Sequence, residues 1–247
     1  MQLPLLLLAF LLSPRAKAGE IIGGHEAKPH SRPYMAFLQI FKQDSLIKCG
    51  GFLIREDFVL TAAHCSGSSI NVTLGAHNIK KPERTQQIIS ETRLIPHPDY
   101  TSNDYSNDIM LLKLERKAKL TAAVQPIKLP TRKTQVNPGD VCDVAGWGMK
   151  TPLGKSSDTL QEAELQVQED QKCESHLPGY YNIASEICAG DPKIKRSSFK
   201  GDSGGPLICK NVVQGIISYG RNDGSTPRAF TKISSFLPWI RKNMKRS

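Results

Sequence analysis

The chain lacks any apolar run long enough to cross a bilayer. A spanning helix needs about 20 apolar residues, whereas the run from Leu5 to Leu12 is less than half that and is followed by Ser13, Pro14 and Arg15. With an Ala-x-Ala ending at Ala18, residues 1–18 read as a secretory signal peptide and not as an anchor. No Cys-x-x-Cys is present, which argues against zinc and thioredoxin-like chemistry. There is no low-complexity linker, no internal repeat and no recognised nucleic-acid-binding motif.

Among what is present, six cysteines behind a secretory signal make disulfides the default. They are Cys49, Cys65, Cys142, Cys173, Cys188 and Cys209, and spacing alone leaves about 15 connectivities open. The formal net charge is +10. Its densest places are Lys80 to Arg84, Arg116 to Lys119, Lys193 to Arg196 and Arg241 to Arg246. A scattered excess of this kind suits weak, salt-sensitive binding to acidic glycans or membrane surfaces, and nucleic acid is not expected as a partner.

Short β-branched or alternating runs recur between turn-rich breaks: MAFLQIF, FLIREDFVL, INVTLGA, QQIISETRLI, DIMLLKL, VCDVAGW, EAELQVQ, PLICKNVVQGIIS and RAFTKI. Many short strands at this spacing predict an all-β barrel or sandwich. Only the end reads as a helix, from Ser235 onward, with Phe236, Trp239, Ile240 and Met244 near helical spacing and Pro238 in the first turn. Asn71-Val72-Thr73 is a glycosylation sequon.

Gly201-Asp202-Ser203-Gly204-Gly205 fits a Gly-x-Ser-x-Gly nucleophile turn. An α/β-hydrolase places its histidine after the serine, yet His25, His30, His64, His77, His97 and His176 all precede Ser203. A serine hydroxyl needs a base, and the base needs an acceptor to fix its tautomer. His64 in Leu60-Thr61-Ala62-Ala63-His64-Cys65 stands at a strand end beside a cysteine, while His97 between two prolines reads as a loop residue. Asp108, ahead of an apolar run in Asn107-Asp108-Ile109-Met110, is the candidate acid.

TAAHC, SNDIMLL and GDSGGP, in the order His, Asp, Ser, resemble the trypsin/chymotrypsin family of serine proteases, and the resemblance extends over residues 21–247. It implies two six-stranded antiparallel β-barrels, about 21–124 and about 125–247 with the terminal helix, and a site in the cleft between them. It implies the bonds Cys49–Cys65, Cys142–Cys209 and Cys173–Cys188. A further bridge common in the family is absent, with Phe199 where one cysteine would stand. Ser203 becomes the nucleophile, His64 the general base and Asp108 its orienter, with the N–H groups of Gly201 and Ser203 as oxyanion hole. No cofactor or metal is called for. Removal of the Gly19-Glu20 dipeptide would free the Ile21 ammonium to pair with Asp202 and switch the enzyme on.

The family's Lys/Arg-specific members carry an Asp six residues before the serine, and Ser197 stands there instead. The resemblance assigns the substrate pocket to Ser197, Ser198, Ser218, Tyr219, Gly220 and Arg228, with Arg228 on the strand behind it. A guanidinium facing the slot would take a carboxylate, so cleavage after Asp is expected, with Glu second. Longer matches such as GEIIGGHEAKPHSRPYMAFL and PRAFTKISSF are similar to the granzyme subgroup. That implies secretion, storage on acidic proteoglycan in cytolytic granules of lymphocytes, activation by a dipeptidyl peptidase, entry into target cells by a pore-forming protein, and cleavage of caspases and Bid. Granule acidity would protonate a histidine base and keep the enzyme quiet. Two other readings are a chymase-like granzyme cutting after aromatic residues or Leu, and a non-catalytic basic antimicrobial or glycan-binding relative.

Overall fold

A computed structural model describes residues 21–43, 45–131 and 134–245. The expected signal peptide and Gly19-Glu20 dipeptide lie outside the described residues. The chain is mostly β. Strands β2 (Met35–Lys42), β3 (Ser45–Arg55), β4 (Phe58–Thr61), β5 (Ser69–Leu74), β6 (Gln87–Pro96) and β7 (Met110–Leu114) close into a barrel in the order β2-β3-β4-β7-β6-β5. All its neighbours are antiparallel. The inward set includes Leu38, Ile40, Phe52, Leu60, Ile70, Val72 and Leu111, all fully buried.

The second sheet is seven-stranded: β1 (His25–Glu26), β9 (Gln161–Gln166), β8 (Val141–Gly146), β11 (Pro206–Cys209), β12 (Val212–Tyr219), β13 (Arg228–Lys232) and β10 (Glu186–Ala189). Its last strand curls back to β9 through a single bridge between Val167 and Ala189. Two hydrogen bonds support it, from Gln168 N–H to Cys188 O (2.8 Å) and from Gly190 N–H to Gln166 O (2.8 Å). Six strands thus form the second barrel, and β1 is an addition to its edge.

Elements near both ends of the described residues cross between the two halves. Strand β1 pairs with β9, so His25 and Glu26 belong to the second sheet. The helix α2 (Ile233–Lys245) sends Ile233, Phe236, Leu237 and Ile240 into a hydrophobic cluster that joins first-barrel residues to Ile208, Val213 and Ile216 of the second sheet, with Trp239 and Met244 packed partly against it. It begins two residues earlier than the sequence pattern suggests, so Pro238 falls inside the helix and not in its first turn. A second helix, α1 (Asp170–His176), was not legible as one. It has seven residues and is tied to β10 by Cys173–Cys188, a tertiary constraint that local periodicity does not reveal. Strands β1 and β10 and the first half of β3 likewise carry too little alternation to be read in advance.

The other disulfides are Cys49–Cys65 and Cys142–Cys209, and the three bridges use all six cysteines. The Cys49–Cys65 bridge occupies both sulfurs next to His64, so that group offers no metal thiolates. No described helix is long and apolar enough to cross a membrane.

Candidate active site

His64 sits in a single 3₁₀ turn, Ala63–Cys65, directly after β4, and the Cys49–Cys65 bridge clamps that turn to β3. Asp108, 1% exposed, lies just before β7, the strand paired with β4. Adjacent strands therefore deliver base and acid to one another. Asp108 Oδ1 accepts from His64 N–H (2.9 Å), and its Oδ2 lies 2.7 Å from His64 Nδ1 and accepts from Ser218 Oγ (2.5 Å). Thr231 Oγ1 also bonds the Asp108 carbonyl (2.8 Å). An ionised carboxylate at Nδ1 requires a proton there, which leaves Nε2 as the free acceptor of a neutral imidazole.

Ser203 comes from the other half, in the turn before β11. Gly50 N–H donates to Ser203 O (2.7 Å), and Thr61 Oγ1 donates to Gly50 O (2.8 Å), which ties the serine turn to the first barrel. Gly204 (φ 80°) has no room for a side chain, because a β-carbon would lie 2.1 Å from Thr61 Oγ1. His64, Ser203 and Ser218 line one open cleft of about 540 Å³. Ser203 Oγ makes no hydrogen bond to the imidazole, as is common before substrate arrives. The N–H groups of Gly201 and Ser203 have no acceptor among the described residues, whereas Asp202, Gly204 and Gly205 all donate to backbone carbonyls.

Asp202 is fully buried and accepts from Gly148 N–H (2.7 Å) and Phe199 N–H (2.9 Å). Burial pushes its carboxyl up to about 6, against those two hydrogen bonds and the charge of Arg228. Ile21 is fully buried in the second hydrophobic cluster, and Ile22 bridges to Ser197. Ile21 is held at φ 40°, a region that β-branched residues avoid.

Arg228 lies at the start of β13, 8% exposed, and lines the cleft with Ser203, Tyr219 and Gly220. One guanidinium nitrogen donates to Arg221 O (3.1 Å), Nε is buried without a partner, and the Phe199 ring stands 5.9 Å from Cζ. No carboxylate pairs with it among the described residues. Burial lowers it to about 10, opposed by the charges of Asp202 and Asp223, so it stays a cation at neutral pH.

Ser197 and Ser198 are buried, at 1% and 0%; Ser197 Oγ donates to Ser198 O (2.9 Å), and Ser198 Oγ is buried without a partner. Phe199, in the place of the missing cysteine, lines the cleft, as do Lys200, Tyr105 and Tyr180, which sequence reasoning missed. Asn71 lies half-buried in β5 and accepts a hydrogen bond from Ser90 Oγ (3.2 Å).

The family model described as Trypsin matches residues 21–240. Granzyme B of Rattus norvegicus is 71% identical over 248 residues, and granzyme B of Homo sapiens 70% identical over 246 residues, each comparison covering all of both chains. A solved structure described as "Structure of GrC" superposes with a TM-score of 0.89 at 59% identity, covering 91% of this chain and 100% of that one. The chain therefore belongs to the trypsin family of serine proteases, in its granzyme subgroup.

Proposed function

We propose that this protein is a serine endopeptidase that cuts after Asp, with Glu as its second choice. The observation that carries the reading is Arg228: a desolvated cation in the cleft of Ser203, with an unpartnered Nε and no carboxylate of its own. A substrate carboxylate would supply that partner through charge-assisted hydrogen bonds, and an apolar side chain would leave it unpaired.

In the proposed reaction Ser203 Oγ attacks the carbonyl carbon while its proton passes to His64 Nε2. Asp108 holds the imidazole and stabilises the imidazolium. The N–H groups of Gly201 and Ser203 receive the oxyanion, an effect worth roughly 3–4 kcal/mol per donor in such sites. Collapse breaks the C–N bond, and His64 returns the proton to the leaving amine. Water, deprotonated by His64, then releases the acid from the acyl-enzyme.

Cleavage after Glu20 is the proposed switch, since a freed Ile21 ammonium would give the buried Asp202 a counter-charge. The likeness to proteins named granzyme B supports a granule protease made with a signal peptide, trimmed by a dipeptidyl peptidase and stored on acidic proteoglycan. It also supports delivery by a pore-forming protein to kill target cells through caspases and Bid. Asn71 is its proposed glycan site. The test is a peptide library varied at the residue before the cut, using protein that starts at Ile21. Preference for Asp supports the reading; preference for Phe, Tyr or Leu replaces it with a chymase-like specificity, and no cleavage with no phosphonate label on Ser203 points to a non-catalytic relative.

A further inference from the structure

One wall of the cleft is aromatic. Tyr105 sits edge-on to the His64 ring (5.6 Å between centroids, 87°) and stacks on Tyr219 (5.4 Å, 22°), and Tyr180 tilts against Tyr219 (6.5 Å). Tyr105 holds this place at φ 58°, a backbone region costly for a bulky residue, so the stack is imposed by its surroundings. Rings alone can slide over one another. What fixes the stack lies behind it.

Glu186 opens β10 and is 5% exposed, with no cation in ion-pair distance among the described residues. Its Oε2 accepts from the Tyr219 hydroxyl (2.9 Å) and from Asn182 N–H (2.9 Å). It touches no atom of the reaction and does not line the cleft. A buried unpaired carboxylate is expensive to keep and contributes nothing to the chemistry derived above. A core position at the head of a strand would more cheaply hold an apolar residue.

We propose that Glu186 is a positioning residue: by holding the Tyr219 hydroxyl it locks the Tyr219–Tyr105 stack into a rigid platform for the substrate residues that neighbour the acidic one. A locked platform favours peptides long enough to lie on it and does little for a single acidic residue. Pocket choice and length preference are thus set by separate groups, Arg228 for the first and Glu186 for the second.

The carboxyl also gives the platform a pH dependence. Burial pushes Glu186 up to about 7; the Asn182 and Tyr219 hydrogen bonds oppose this, and the charges of Asp108 and Asp104 add to it. The other ionisable groups beside it are Tyr219 itself and Tyr181, whose hydroxyl donates to Asp170, while Thr231 faces it across the β13 pairing. Above about 7 the acceptor is charged and strong; below, it is neutral and weaker.

The proposal rests on protease activity and is tested by the ratio of KM for a single-residue acidic ester to KM for a matched hexapeptide. The ratio cancels effects on His64 and Arg228, which both substrates share. Glu186→Ala and Tyr219→Phe should each lower it about tenfold. In the wild type it should fall as pH drops through about 7, and in Glu186→Gln it should be flat with pH. Equal losses on both substrates, an unchanged ratio, or a pH slope that survives in Glu186→Gln would each overturn the proposal. If Glu186→Ala does not fold, Tyr219→Phe and Glu186→Gln carry the test. Should the wild type refuse acidic substrates, the acidic-pocket reading alone fails, and the ratio is taken with substrates bearing whichever residue the library selects.

Discussion

Gly220 and Arg228 are packed so closely that a β-carbon on the glycine would lie 2.7 Å from the guanidinium Cζ. The arginine head is the end of a flexible side chain and must swing aside for it. Displacement by about 1 Å at such a site costs on the order of a hundredfold. Gly220→Ala should lower kcat/KM on Asp substrates by about 10–100-fold while an active-site phosphonate still labels Ser203; undiminished Asp cleavage would separate Gly220 from the pocket.

Arg228→Gly removes the cation and leaves a substrate carboxylate buried without a partner, at a cost of about 3–5 kcal/mol. Asp cleavage should fall a hundredfold to a thousandfold, with a gain on aromatic or Leu substrates, measured as the ratio of kcat/KM values. A variant that kept its Asp preference would place the selecting group elsewhere.

Asp202 makes the uncut chain sensitive to pH. Its carboxyl is raised from 3.8 to about 6, so between those values the folded state binds more protons than the unfolded one. The stabilising contribution is complete below 3.8 and is lost as pH rises through about 6, on the order of 3 kcal/mol. Protein retaining Gly19-Glu20 should lose thermal stability relative to protein starting at Ile21 over this range, and Asp202→Asn should abolish that difference. Parallel melting curves for the two forms at every pH would refute the switch.

Ser218 and His64 share one oxygen of Asp108. Removing the hydroxyl leaves that oxygen with one donor and the carboxylate freer to turn. An imidazole held less firmly is misplaced, and misplacement by about 1 Å costs on the order of a hundredfold, so Ser218→Ala, a smaller disturbance, should depress kcat about tenfold with a smaller change in KM, read by steady-state kinetics.

The candidate residues His64, Asp108 and Ser203 were legible because each sits in a short motif whose neighbours do local work: the disulfide beside His64, the strand entry after Asp108, the glycines around Ser203. Arg228 was visible only through family placement, since nothing in Ser225-Thr226-Pro227-Arg228 marks an inward side chain. The burial of Ser197 and Ser198 was equally unmarked in the sequence. Which face of a loop is covered is decided by packing, here by Ile22 bridging to Ser197 from the far end of the chain. The platform of Tyr105, Tyr180 and Tyr219 joins three segments remote in sequence. Glu186 carried one faint signal, a carboxylate heading the otherwise apolar Ile187-Cys188-Ala189.

Helix α2 packs Ile233, Phe236, Leu237 and Ile240 into a core cluster that joins first-barrel residues to Ile208, Val213 and Ile216 of the second sheet, and none of the three disulfides joins the two barrels. The helix therefore acts as a clasp, bridging by packing two halves that have no covalent staple between them. Deleting Ile233–Lys245, far from Ser203, would uncover apolar side chains of both halves at once and loosen the frame of the cleft.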